Sequence, residues 1–251
     1  MTSSLRYKST AALLAATERG RLRTLFEALD ADTAEALLAM FRIRDVPAGT
    51  VLIPEDTIAA EVGFVLRGSL GMVKVLPDGR RHIIGLLVPT DRFGRIFDGP
   101  SGFRIEALSD AQLLLIDRRA FEDVLRDHPE AERKMLVHLL DELDAAREWV
   151  LLIGGTRVIE RVASFLLILL RRADTTSGGN GGVVVQPLTR RDLASFLGAR
   201  RESISRALRE LQAGGVLRIL APNRFEILDV GRLVAIAGQD LVIDEPESRR
   251  A

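Results

Sequence analysis

The spacing of hydrophobic residues divides the chain into segments of different predicted structure. Between residues 21 and 45 apolar residues recur every three or four positions, which predicts helix. From residue 46 the pattern changes to short apolar runs separated by turns built on glycine or proline. The predicted strands are residues 50–54, 62–76, 82–88, 103–108 and 112–117. Short strands with glycine turns predict a small antiparallel barrel or roll.

Helical spacing returns over residues 118–153, and a further helix is predicted over residues 156–172. Within the first of these helices, six apolar residues alternate spacings of three and four, as in a heptad repeat. They are Leu136, Leu139, Leu143, Ala146, Val150 and Ile153. Either this helix packs on its own barrel, or it forms the contact between two copies in a two-fold dimer. Charged residues on its other faces favour the dimer.

The stretch 188-LTRRDLASFLGARRESISRAL-208 predicts two short helices. Thr189 suits the N-cap of the first helix, with Asp192 as its capping partner, and Gly198 suits the end of that helix. The second helix is expected from about Arg200 to Ala213, with its buried side formed by Ile204, Ala207, Leu208 and Leu211. Residues 216–220 and 225–228 then predict a β-hairpin.

Charge is concentrated on this helix pair. The chain as a whole has a net charge of zero, yet residues 186–224 contain eight arginines and three acidic residues. Two short helices with a glycine turn are typical of a helix-turn-helix, whose second helix enters the major groove of DNA. Arginine and glutamate can hydrogen-bond to base edges there, while other arginines contact phosphates. The predicted DNA-binding residues are Thr189, Arg190, Arg191, Arg200, Arg201, Glu202, Ser205, Arg206 and Arg209.

Composition excludes several classes of protein. The chain has no cysteine, which rules out disulfides, cysteine-ligated iron–sulfur clusters and cysteine nucleophiles. His82, His128 and His138 are not spaced as a catalytic zinc site requires, so neither an enzyme nor a metal site is expected. No apolar run approaches 18 residues and the first residues lack a signal-peptide pattern. We therefore expect no membrane contact and a cytoplasmic location.

The segment TRRDLASFLGARRESISRALRELQAGGVL resembles the C-terminal DNA-binding domain of the CRP/FNR family of bacterial transcription regulators. The resemblance rests on the spacing Ala194-x3-Gly198-x5-Ile204 and on the ExxSR pattern of Glu202, Ser205 and Arg206. It implies an α+β fold with an N-terminal antiparallel β-roll like a cyclic-nucleotide-binding domain, a long dimerisation helix and a C-terminal winged helix-turn-helix. The expected boundaries are 1–20 for a flexible lead, 21–120 for the roll, 121–155 for the dimerisation helix, 156–240 for the DNA-binding domain and 241–251 for a tail.

The resemblance also implies a function. We expect a homodimer that binds a palindromic site on double-stranded DNA and that contacts RNA polymerase. By similarity, Glu202 and Arg206 read a TGA-like core in each half-site. Arg201 stands where the cAMP receptor protein has a guanine-reading arginine, whereas Ser205 is the residue of FNR-type proteins. The choice between these two half-sites stays open.

The predicted sensor differs from the family pattern. The family's nucleotide cassette reads F-G-E followed by R-[ST]-A, whereas the matching run here is 93-FGRIFDGPSGFRIEAL-108. Arg95 replaces the glutamate, Ser101 or Gly102 stands at the arginine position, and Arg104 would need a shift of strand register to replace it. We therefore predict a regulator that needs no cyclic nucleotide and no cofactor, as in FixK-type proteins. The alternatives are a haem-dependent, nitric-oxide-responsive regulator, with His82 as candidate ligand, and a ligand-binding module that acts on a protein partner.

Overall fold

The computed structural model describes residues 20–79, 81–154, 157–172 and 182–238. The chain divides into two compact units, residues 1–146 and residues 147–251. The predicted tail, residues 241–251, lies outside the described residues, and so do nearly all of the predicted N-terminal lead and of the loop at 173–182. Among the described residues, no helix is long and apolar enough to cross a membrane.

The described residues of the first unit form two short helices, eight strands and two further helices. The first two helices are α1 (Gly20–Phe26) and α2 (Ala31–Met40). The strands are β1 (Arg42–Val46), β2 (Val51–Ile53), β3 (Glu61–Arg67), β4 (Leu70–Val75), β5 (Arg81–Leu87), β6 (Arg92–Phe93), β7 (Arg104–Ala107) and β8 (Ala111–Asp117). The last two helices are α3 (Arg118–Asp127) and α4 (Pro129–Gly154), and α4 extends beyond the unit's boundary at residue 146.

The eight strands form two four-stranded sheets, with strand orders β1-β8-β3-β6 and β2-β7-β4-β5. Every pairing is antiparallel. The turn between β4 and β5 follows the prediction from Pro77-Asp78-Gly79: Gly79 has φ +81° and its N–H donates to the carbonyl of Leu76 at 2.8 Å. The predicted antiparallel β-roll and the α+β fold class are confirmed.

The side chains of strand β8 point alternately to its two faces, and each face belongs to a different hydrophobic core. Leu113 and Leu115 lie in the core between the two sheets. Leu114 and Ile116 point to the other face, where they pack in a core with the helices. Because both faces of β8 are covered, its residues 113–116, LLLI, are continuously apolar rather than alternating.

Two expectations about this unit were wrong. Residues 42–45, placed within the helical segment 21–45, belong to strand β1. The chain is already extended at Phe41, the C-cap of α2, and β1 pairs with β8 from Arg42 to Val46. This pairing between strands outweighs the helical spacing, which covers only the last few residues of the predicted helical segment. The predicted helix over 118–153 is also interrupted at His128, because Pro129 disfavours helical backbone at the residue before it.

The second unit contains α5 (Val158–Arg172), β9 (Val183–Val185), α6 (Arg190–Phe196), α7 (Arg201–Ala213), β10 (Leu217–Ala221), β11 (Arg224–Ile227) and α8 (Val230–Ala237). The strands form a three-stranded antiparallel sheet in the order β10-β11-β9. The predicted pair of helices and the following hairpin are both present. Strand β9 and helix α8 were not predicted.

Candidate nucleic-acid interface

Helix α6 begins as its sequence predicts. The Oγ1 atom of Thr189 accepts a hydrogen bond from the N–H of Asp192 at 3.1 Å and donates one to the Oδ2 atom of Asp192 at 2.6 Å. Leu193, Ala194 and Leu197 are buried, as expected. Phe196 is buried too and packs edge-on against Phe165 of α5, with ring centroids 5.9 Å apart. The N-cap fixes where α6 starts, and these buried residues fix which side of it faces inward.

Gly198 ends α6 and sets the turn to α7. Its φ is +57°, a left-handed conformation that glycine adopts without strain. The N–H of Ala199 donates to the carbonyl of Ala194 at 2.8 Å, and the N–H of Gly198 donates to that of Ser195 at 3.3 Å. These two bonds make a Schellman motif, so the angle between the helices is defined by backbone bonding as well as by side-chain packing.

Helix α7 separates apolar and polar residues onto opposite sides. Ile204, Ala207, Leu208 and Leu211 are all buried, which confirms the predicted inward face. The helix ends in a second Schellman motif: the N–H of Val216 donates to the carbonyl of Leu211 and the N–H of Gly215 to that of Gln212, both at 3.0 Å. A helix anchored at its end and along one side presents its other side in a fixed orientation.

The outward side of α7 carries the predicted base-reading residues. Arg201, Glu202, Arg206 and Arg209 are exposed, and Ser205 is half-buried. In the part of the chain that the structure describes, no hydrogen bond or ion pair engages the side chain of Arg201, Glu202 or Arg206. The Nε atom of Arg209 donates to the carbonyl of Ser205 at 3.2 Å. Three charged side chains on one helix face are thus available to an external partner.

The other four predicted DNA-binding residues, three of which were predicted to lie near phosphates, do not share one environment. Thr189, Arg191 and Arg200 are exposed, and Arg200 is the N-cap residue of α7. Arg190 instead lies over the ring of Phe225 in β11, with its guanidinium carbon 5.5 Å from the ring centroid. Burial lowers the pKa of Arg190 below its ordinary value. The sequence gives no sign of this contact, because Arg190 and Phe225 are far apart along the chain.

The hairpin of β10 and β11 brings two more arginines to this unit's surface. Arg218 donates to the Oε2 atom of Glu226 on the neighbouring strand at 2.8 Å. Arg224 is exposed at the start of β11, next to the Pro222-Asn223 turn. Both residues contributed to the excess of positive charge over residues 186–224, but that excess did not identify either as a site residue.

Helix α4 carries two stripes of residues. Ala131, Met135 and His138 are buried within the first unit, and the Nε2 atom of His138 lies 2.7 Å from the Oγ1 atom of Thr24 in α1. The other stripe is apolar and exposed, and consists of Leu136, Val137, Leu140 and Leu143. Of the six predicted dimer residues, Leu136, Leu143 and Ala146 are exposed, Leu139 is half-buried, and the side chains of Val150 and Ile153 lie outside the described residues.

A cavity of about 220 Å³ in the roll is lined by Met72, Phe93, Phe103 and Ile105, with polar groups from other residues. The residues of the predicted nucleotide cassette make contacts within the roll. The Nε atom of Arg95 donates to the carbonyl of Asp98 at 2.7 Å, and the Oγ atom of Ser101 donates to the carbonyl of Phe103 at 2.7 Å. The Nη1 atom of Arg104 lies 3.6 Å from the Oε2 atom of Glu106. No glutamate for a ribose and no arginine for a cyclic phosphate occupies the expected place.

Two of the three histidines make structural contacts. His138 contacts Thr24, as described above. The Nδ1 atom of His128 lies 2.9 Å from the carbonyl of Val124, and its Nε2 atom lies 3.1 Å from the Oγ1 atom of Thr33. His82 is half-buried on β5, opposite Lys74 of β4. Among the described residues, no group of three or more histidine, aspartate or glutamate side chains is placed to hold a metal ion.

Two helices joined by a capped turn, followed by a β-hairpin and with an exposed charged face, define a winged helix-turn-helix protein. Comparison with protein families agrees with this class. Residues 160–236 match the Crp-like helix-turn-helix domain, and residues 43–128 match the cyclic nucleotide-binding domain.

Similar proteins identify the family. The chain is 32% identical to the transcriptional activator protein FnrL of Cereibacter sphaeroides, over 88% of this chain and 90% of that protein. It is 28% identical to the nitrogen fixation regulation protein FixK of Bradyrhizobium diazoefficiens, over 76% of this chain and 79% of that protein. The solved structure of FixK2 from Bradyrhizobium japonicum is similar, with a TM-score of 0.71 and 29% identity over 78% of this chain and 96% of that one. The chain belongs to the CRP/FNR family of transcription regulators and is not an enzyme.

Proposed function

We propose that this regulator acts as a homodimer that places α7 of each subunit in the major groove of a palindromic DNA site, without a cyclic nucleotide. The observation that carries the proposal is the outward side of α7. Arg201, Glu202 and Arg206 are charged, exposed and without a partner among the described residues. A buried opposite side and two Schellman motifs hold the helix that bears them.

Each of these side chains suits a base edge. Arginine donates two hydrogen bonds to O6 and N7 of guanine, and glutamate accepts from N4 of cytosine. Arg206 lies four residues after Glu202, so both side chains are on the same side of the helix about one turn apart. Arg191 and Arg200 are exposed near the start of α6 and α7, where contact with phosphates would fix the register of the helix on DNA.

The dimer is supported by the exposed stripe on α4. Leu136, Leu140 and Leu143 are 57%, 54% and 47% exposed, and they are spaced by four and three residues. An apolar stripe of this kind is buried by the same stripe of a second copy in a coiled coil. The buried stripe of Ala131, Met135 and His138 shows that α4 also packs on its own roll. In the proposal the same helix therefore packs on the roll with one side and on a second copy with the other.

Independence from cyclic nucleotide is supported by the cavity in the roll. Arg95 stands at the place of the family's glutamate, and Ser101 or Gly102 stands at the place of its arginine. RNA polymerase is the further partner we propose, because the relative from Cereibacter sphaeroides is a transcriptional activator. A haem-responsive regulator is the alternative, and it would have to use His82, since the described contacts of His128 and His138 are within the fold.

The test is binding of the purified full chain, with no ligand added, to a TTGA-type palindromic duplex and to a scrambled duplex over a salt series. We expect selective binding, and we expect Glu202→Ala and Arg206→Ala each to weaken it by about 1–3 kcal/mol. Glu210→Ala is the matched control, because Glu210 is an exposed glutamate two turns further along α7. Equal affinity of the wild type for both duplexes, or unchanged affinity in both variants, would contradict the proposal.

A further inference from the structure

The side chain of Arg92 joins the roll to helix α4 at the edge of the cavity. Arg92 lies on β6 and its side chain is only 9% exposed. Its Nη1 atom donates to the carbonyl of Gly94, and its Nη2 atom donates to the Oε2 atom of Glu142 on α4 at 3.2 Å. Its Nε atom is buried without a hydrogen-bond partner among the described residues. Both Arg92 and Glu142 line the cavity.

A buried guanidinium needs an anion, because an uncompensated charge inside a protein is costly. The arginine of the family's cassette has no counterpart at its expected position, while two cations, Arg92 and Arg95, line the cavity. Arg95 donates to the carbonyl of Asp98, whereas Arg92 pairs with a carboxylate. The anion of Arg92 is the carboxylate of Glu142, which belongs to the chain itself. The carboxylate of Glu142 therefore neutralises the charge of Arg92, which an external anion would otherwise have to neutralise.

Glu142 lies on the same side of α4 as the buried stripe. It follows His138 by four residues, as Met135 follows Ala131, and such pairs lie above one another on a helix. Contacts at His138 and Glu142 therefore hold α4 against the roll at two points one turn apart. Holding one side of a helix at two points fixes its rotation about its own axis. That rotation decides where Leu140 and Leu143 point.

We propose that the Arg92–Glu142 ion pair takes the place of a ligand: it fixes α4 so that the exposed stripe of Leu136, Val137, Leu140 and Leu143 is in position for dimerisation. Arg92 and Glu142 are positioning residues and have no contact with DNA in this proposal. The inference rests on the proposed homodimer and explains how the dimer becomes competent without a cyclic nucleotide.

The test uses three variants of the full chain: Arg92→Gln, Glu142→Gln and the double variant. Analytical ultracentrifugation measures the dimer dissociation constant of each variant, and DNA titration measures its affinity for DNA. We expect each single variant to weaken dimerisation by at least about tenfold, since each leaves one charge of a partly buried pair alone. The double variant should be no worse than either single variant, because the two substitutions remove the same interaction. Arg126→Gln is the control: it breaks an exposed pair with Asp123 on α3, away from the stripe, and should change nothing.

A second measurement separates loss of the ion pair from general damage to the fold. In Glu142→Ala, added acetate should strengthen dimerisation more than chloride at equal ionic strength, because acetate supplies a carboxylate next to Arg92. Single variants that dimerise like the wild type, additive effects in the double variant, or no difference between acetate and chloride would each overturn the proposal. A wild type that dimerises but binds both duplexes equally would contradict the proposed DNA function, while the sedimentation results would still test the ion pair.

Discussion

Several arginines of the roll and the arginines of helix α7 are used in different ways. In the roll, arginines are turned towards glutamates of the same unit. These pairs are Arg81 with Glu106, Arg92 with Glu142, and Arg118 with Glu122. On α7 of the second unit, Arg201 and Arg206 are exposed and have no ion pair within the described residues. A paired charge contributes to its own fold, whereas an exposed and unpaired one is available to a partner.

The two units also differ in which features of the family pattern they retain. The winged helix keeps the family's spacing of Ala194, Gly198 and Ile204, and the structure gives each residue a physical reason: two are buried and one has a positive φ. The roll keeps the family's architecture, while Arg95 and Ser101 of the predicted nucleotide cassette bond to nearby carbonyls. The residues of the predicted cassette therefore differ from the family pattern, whereas those of the helix-turn-helix follow it.

The largest expected effect tests whether the cores of the two units unfold independently. Phe165→Ala removes a buried ring of the second unit that packs edge-on against Phe196, and should cost about 3–5 kcal/mol of unfolding free energy. Differential scanning calorimetry should show a lower transition temperature for the second unit and an unchanged one for the roll. Phe121→Ala is the reciprocal control, because Phe121 is buried in the roll. A single transition that moves as a whole in both variants would show that the cores are coupled.

An intermediate effect distinguishes the two neighbouring arginines of α6. Arg191 is exposed, so Arg191→Gln should remove a phosphate contact and make the slope of log affinity against log salt shallower by about 0.9. Arg190 lies over Phe225, so Arg190→Gln should leave that slope unchanged and lower the stability of the second unit by about 0.5–1 kcal/mol. DNA titrations over a salt series and thermal melts measure both quantities. A shallower slope in Arg190→Gln would assign Arg190 to the phosphates, as its sequence position first indicated.

The smallest expected effect concerns a charge of the first unit that caps a helix. Asp30 accepts hydrogen bonds from the N–H and the hydroxyl of Thr33 at the start of α2, and these bonds lower the pKa of its carboxyl. A lowered folded-state pKa stabilises the protein above the unfolded pKa, and this stability is lost as the pH falls through the folded value. In Asp30→Asn, stability should therefore depend slightly less on pH in the acidic range. Thermal melts between neutral and acidic pH measure this, and an unchanged pH dependence would show that Asp30 contributes nothing.

Much of the second unit was predictable because its signals are local. A threonine N-cap, a glycine with positive φ and apolar residues at helical spacing act over a few residues, so α6, the turn at Gly198 and α7 follow from the sequence. The same holds for the β4–β5 turn at Gly79. The heptad spacing on α4 was also local, but it did not show that Val137 and Leu140 are exposed with Leu136 and Leu143.

The sequence by itself determined the type and order of most elements, the family, and the charged face of α7. Only the tertiary structure decided that residues 42–46 are a strand, that Arg190 lies over Phe225 and that Arg92 pairs with Glu142. Each of these depends on a partner that is distant along the chain. Strand pairing, ring stacking and burial of a charge gain their free energy from such partners, so no local pattern of residues reports them.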